Sequence, residues 1–89
     1  MSEMVGRVKK VISYSEMKAF KAVMNELGGK TDDIIIVSKI AEAKKLTKSV
    51  VVGVFKLMEV AGVLETRSLG TKGTHIKILN QEAAEAIRS

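Results

Sequence analysis

Lys48, Ser49, Val52 and Gly53 concentrate the surface chemistry of this 89-residue chain. At helical spacing they place an ammonium group, a hydroxyl, a small apolar group and bare backbone side by side. That mixture fits the major groove of double-stranded DNA, where Lys and Ser reach base edges or phosphates and Val touches a thymine methyl. Lys56, one turn further, is spaced for a phosphate. A second group, Arg67, Lys72, His75 and Lys77, suits the flanking backbone or the minor groove. Ser38, Lys39, Lys44, Lys45 and Thr47, near the ends of two expected helices, complete the candidate DNA-binding set. Eight basic and three acidic residues lie within residues 39–77, so the whole formal charge of +5 belongs to that window. A localised excess of this kind points to a polyanionic partner, although Lys44 and Lys45 also read as an ordinary solvated face.

Other chemistries are poorly served. Without cysteine there is no disulfide framework, thiolate metal site or catalytic thiol. A single His leaves a zinc site without ligands. No nucleophile or carboxylate is arranged around His75, so the chain is read as a non-enzyme. Asp32 and Asp33 lack the spacing of a calcium loop and are expected to satisfy loop amides. Gly70-Thr71-Lys72-Gly73 lacks the spacing and the following helix of a nucleotide-binding phosphate loop. The apolar runs Ile34-Ile35-Ile36-Val37 and Val50-Val51-Val52 are far too short to span a bilayer, and the N-terminus has no signal-peptide core. No membrane association and a cytoplasmic location are expected.

The elements that must hold these residues follow from periodicity. Met4, Val5, Val8, Val11 and Ile12 form a helical stripe that Gly6 weakens. Ser13-x-x-Glu16 is a capping box, so a new helix should begin there, with Met17, Phe20, Val23, Met24 and Leu27 inward and Gly28-Gly29 ending it. After a polar loop, residues 34–37 predict a short strand. Ser38 is then expected to cap a short helix over residues 39–45, and Thr47 a longer one reaching about Ala61. Alternation over residues 63–68 and 74–79 predicts two strands joined by a glycine-containing loop. Asn80 can cap a last helix over residues 81–88.

Helix, short strand, helix, tight turn, longer helix and hairpin, in that order, make a winged helix-turn-helix. The expected class is therefore α+β: mainly helical, with a two-stranded β-hairpin wing plus a short third strand. Ala41 belongs where the two helices cross closely, Ile40 and Val51 fill the angle between them, and Leu46 plugs the turn. The expected organisation is an N-terminal helix over residues 1–12, whose stripe suits dimerisation, followed by a DNA-binding domain over residues 13–89.

The sequence also resembles a known family. The stretches Ser13-Tyr14-Ser15-Glu16, Ser38-Lys39-Ile40-Ala41, Thr47-Lys48-Ser49-Val50-Val51-Val52 and residues 61–80 are similar to the C-terminal DNA-binding domain of the CodY family. Those proteins are transcriptional repressors that respond to GTP and branched-chain amino acids. The resemblance implies operator binding and assigns it to positions matching Ala41, Lys48 and Ser49. Relatives usually carry Arg at Lys48, Val-Gly at Lys44-Lys45, Asn at Gly53 and Tyr at His75. It further implies that the effectors bind an N-terminal domain absent here, leaving no cofactor in this chain. The stripe from Met4 to Ile12, within residues 1–12, would then be the remnant of a linker helix to that sensory domain, its apolar side otherwise left exposed. The expected partners are double-stranded DNA, as an AT-rich operator, and a second copy in a weak homodimer. The alternative is a winged helix that binds protein rather than specific DNA.

Overall fold

In a computed structural model, residues 3–89 are described. Met1 and Ser2, within the expected N-terminal helix segment, lie outside them. Helix α1 spans Glu3–Val11 and α2 spans Tyr14–Leu27. The capping box between them forms as the sequence predicts: the Ser13 hydroxyl accepts the Glu16 N–H at 3.1 Å, and Glu16 accepts the Ser13 N–H at 2.9 Å. Gly28 ends α2 in the left-handed conformation. Strand β1 (Asp32–Ile35), α3 (Val37–Lys44), α4 (Lys48–Val60), β2 (Leu64–Ser68), β3 (Thr74–Ile78) and α5 (Gln81–Arg88) follow. The antiparallel sheet has the order β1-β3-β2, with β3 central. Helices and sheet together make the expected α+β winged helix.

The core gathers one face from every helix and the inner face of the sheet. Phe20, Leu27, Ile35, Val51, Met58, Leu64, Ile76 and Ile87 are among its fully buried side chains. Each buried side chain of this size contributes about 1.5–3 kcal/mol. Asn80 caps α5, its side chain accepting the Ala83 N–H at 2.9 Å, and this aims Ala84 and Ile87 into the core.

Three expectations are corrected. The first strand begins two residues early, at Asp32 rather than Ile34, because Asp32 and Asp33 pair with Lys77 and Ile76 of β3. These aspartates belong to a sheet ladder, not to a loop. Ser38 does not cap α3: Ile36 holds the cap position without a side-chain hydrogen bond, and Ser38 lies inside the first turn. Strand pairing through Ile35↔Thr74 delivers the chain straight into the helix, so its start is set by the sheet and not by a hydroxyl. Finally, the α1 stripe is not left exposed. Val5 and Val8 are buried, α1 packs on α5, and Lys9 donates to the carbonyls of Ala86 and Ser89. Met4 and Val11 do remain exposed.

Candidate nucleic-acid interface

Helices α3 and α4 are joined by a three-residue turn, residues 45–47. Ala41 is only 4 % exposed at the crossing, alongside buried Ile40 and Val51, and half-buried Leu46 packs against them. A larger side chain at Ala41 would force the helices apart. The turn itself is closed by the Leu46 N–H, which donates to the Ala41 carbonyl at 2.7 Å, and by the Lys45 N–H, which donates to Glu42. This closure requires a left-handed residue after α3, and Lys45 supplies it with φ +57°. Glycine is the usual occupant because a β-carbon is crowded in that region. Thr47 then caps α4, its hydroxyl accepting the Val50 N–H at 3.3 Å.

With Val51, Val54, Phe55 and Met58 buried, the opposite face of α4 is fixed. Lys48, Ser49, Val52 and Lys56 are exposed, and Gly53 is half-buried near Glu16 at the start of α2. Sequence periodicity alone was sufficient to place these residues on a common surface.

The fold adds neighbours to them. Lys48 shares a cleft of about 230 Å³ with Ile36, Val37, Ser38, Gly70, Thr71, Gly73 and Thr74. The first turn of α3 lacks a side-chain cap, and its residues Val37 and Ser38 line the same cleft as Lys48 and the wing tip. An uncapped helix start next to a cation is suited to an anion. Tip residues Gly70–Lys72 form one 3-10 turn. Gly73 anchors it: φ is +112°, and a β-carbon there would meet the Ile35 carbonyl oxygen at 2.6 Å. Only glycine lets the tip lie this close to β1.

A second cleft, about 220 Å³, separates α4 from the inner face of the wing and includes Val52, Lys56, Glu59, Thr66 and Ser68. Thr66 bridges it, its hydroxyl donating to Glu59 at 2.8 Å. The wing is therefore tied to α4 by a side-chain bond as well as by the core.

The remaining candidate residues are sorted elsewhere. Pleating puts Thr66, Ser68 and Thr74 on the α4 side of the sheet, and Arg67, His75 and Lys77 on the other. In register, Lys77 lies between Asp32 on β1 and Glu65 on β2, while His75 lies between Ile34 and Arg67. Lys39 and Lys44 border a third concavity of about 410 Å³, formed by α2, β1 and α3. The structure thus gathers Ser38, Lys48 and the wing tip, keeps Ser49, Val52, Gly53 and Lys56 on the adjoining helix face, and separates the other cations from them.

Electrostatic perturbation is slight and lies at the sheet edge. The Ile34 N–H, then Lys30, hold the Asp33 carboxyl below its usual range. Among the described residues no His, Asp and Glu cluster could hold a metal ion, and no helix is long and apolar enough to cross a membrane. Of the residues lining the cleft, the sequence had singled out only Ser38 and Lys48. Thr71 was visible in the Gly-Thr-Lys-Gly tip, but the backbone of Val37 carried no signal, because only the strand register reveals where α3 begins.

Similarity to known proteins follows the same segment. Residues 32–88 match the CodY helix-turn-helix domain. Over 77 residues the chain is 47% identical to the global transcriptional regulator CodY of Clostridium botulinum strain Hall and to that of Clostridium kluyveri. The aligned segment covers 86% of this chain but only 30% of each of those relatives. From the short strand to the last helix, pattern, geometry and similarity coincide, and the chain belongs to the CodY helix-turn-helix domain family.

Proposed function

We propose that this chain binds double-stranded DNA in a sequence-specific manner, as the operator-recognition module of a CodY-like transcriptional repressor. The observation that carries this reading is the continuous surface from the Lys48 cleft to Lys56 on a buried-backed helix. In it, α4 lies in the major groove with Ser49 and Val52 against base edges. Lys48, the first turn of α3 and Thr71 hold one phosphate, and Lys56 another. Lys72 at the tip reaches the neighbouring backbone, while Arg67, His75 and Lys77, behind the tip on the far face of the sheet, contribute less directly. Lys39, Lys44 and Lys45 add long-range attraction.

Association through about four to six phosphates gives a log K against log salt slope of roughly −4 to −5. Fluorescence anisotropy with an AT-rich duplex and a random duplex, repeated across salt concentrations, tests the proposal. Equal affinity for both at moderate salt would sink specific recognition. In the longer proteins of the family, GTP and branched-chain amino acids would act through another domain, and residues 1–12 would connect to it. A weak homodimer is the accompanying proposal, supported by Met4 and Val11, which stay exposed beside the packed face of α1. A single monomeric boundary in sedimentation at high concentration would count against it.

A further inference from the structure

Two glycines lie inside helices, and neither is required by the fold. At Gly6, in α1, an added β-carbon would meet nothing within 4 Å. At Gly53, in α4, it would meet only a Glu16 carboxylate oxygen at 4.0 Å, an ordinary contact. Neither has the positive φ that excludes other residues. Glycine in a helix interior is destabilising because it loses more backbone freedom on folding than alanine does. Stability therefore favours alanine at both sites, and α4 already depends on packing because its Val-rich composition gives it modest helix propensity. The two positions differ in surroundings. Gly6 lies in α1, which packs on α5, whereas Gly53, half-buried beside Glu16, directly follows exposed Val52 on α4.

We propose that Gly53 determines specificity by having no side chain: the α4 backbone there approaches the DNA so closely that a β-carbon has no room. This rests on the DNA-binding reading above. The close approach would seat the N-terminal half of α4 deeper in the groove than a helix with a side chain at this point. The small neighbours Ser49 and Val52 could then reach base edges that they would otherwise miss.

The test compares Gly53→Ala with Gly6→Ala, using a duplex enriched by the unaltered chain from a random-sequence library. Both variants should fold and gain roughly 2–6 °C in Tm, read by circular dichroism. Gly53→Ala should bind the enriched duplex roughly tenfold or more weakly while its affinity for random duplex changes less than about twofold. Gly6→Ala should match the unaltered chain on both. Gly53→Ser, which restores only a small side chain, should fall on the same side as Gly53→Ala. Undiminished affinity of Gly53→Ala and Gly53→Ser for the enriched duplex would overturn the inference and leave the proposed function standing. Failure of the unaltered chain to enrich any duplex would remove both. A Tm that falls in Gly53→Ala would also overturn it, since the glycine would then serve the fold.

Discussion

Lys48 and Lys77 belong to the same basic window, yet the fold gives them opposite surroundings. Lys48 opens into a cleft whose lining holds helix-start amides, glycines and hydroxyls but no carboxylate. Lys77 stands in the middle strand with Asp32 and Glu65 as its cross-strand neighbours. Directly opposed side chains in a sheet are about 4.5–5.5 Å apart at their β-carbons, close enough for carboxylates to offset an ammonium group. Charge summed along a sequence is therefore not the field at a surface. Register decides which cations face a partner unopposed, and here it favours the α4 side over the outer wing.

That contrast can be broken most decisively by reversing charge at the Lys48 cleft and at the wing tip beside it. Lys48→Glu combined with Lys72→Glu is expected to weaken DNA binding on the order of a hundredfold at low salt, with the circular dichroism unchanged. Retained affinity in a mobility shift would mean that this side is not the interface. A hydrophobic protein contact would survive the same change. A finer comparison replaces one lysine on each side. Lys56→Ala should reduce the magnitude of the salt slope by about one. Lys77→Ala should alter it less, because Lys77 faces away from α4 and stands across the ladder from Asp32 and Glu65. Equal reductions would erase the distinction drawn from the register.

The turn offers a test in which stability and binding move in opposite directions. Lys45→Gly relieves a left-handed non-glycine residue and should stabilise the fold by about 0.5–1 kcal/mol, read from urea unfolding. It should also weaken DNA binding by roughly two- to threefold through the lost charge. Lys45 is thus the converse of Gly53: one position carries a side chain where the backbone prefers none, and the other lacks a side chain where the helix prefers one.

The smallest effect belongs to the sheet edge. Asp33 has a depressed carboxyl, so its contribution to stability is present above the ordinary value of 3.8 and is lost as the pH falls through its lowered value. Asp33→Asn should therefore shift the urea midpoint slightly downward at neutral pH. The shift should disappear in acid, at about pH 2. A shift of equal size in acid would show that the carboxylate charge is not its source.

Much of this architecture was legible in the residues. The capping box at Ser13 and Glu16, the Thr47 and Asn80 caps and the buried spacing of Val51, Val54, Phe55 and Met58 are local patterns, governed by hydrogen bonds and side-chain period within one turn or two. They fixed α2, α4 and α5 and put Lys48, Ser49, Val52 and Lys56 on one face. The misreadings fell where a distant strand overruled local preference. Ser38 has the chemistry of a cap, but β1 pairing with β3 commits the chain to helix one residue before it, at Val37. Asp32 and Asp33 have loop-like side chains, but the ladder uses their backbone.

By itself, then, the sequence determined which residues would be inside, where most helices would start, and that the basic excess would lie in one window. Periodicity, capping and composition act over a few residues and are written in the chain. Only the tertiary structure decided which cations share a surface. It set Lys48 beside the α3 amides and the wing tip, turned Arg67, His75 and Lys77 to the far side of the sheet, and placed Lys77 between two carboxylates. Those outcomes depend on strand register, where a shift of one residue reverses every side chain, and no local pattern specifies it.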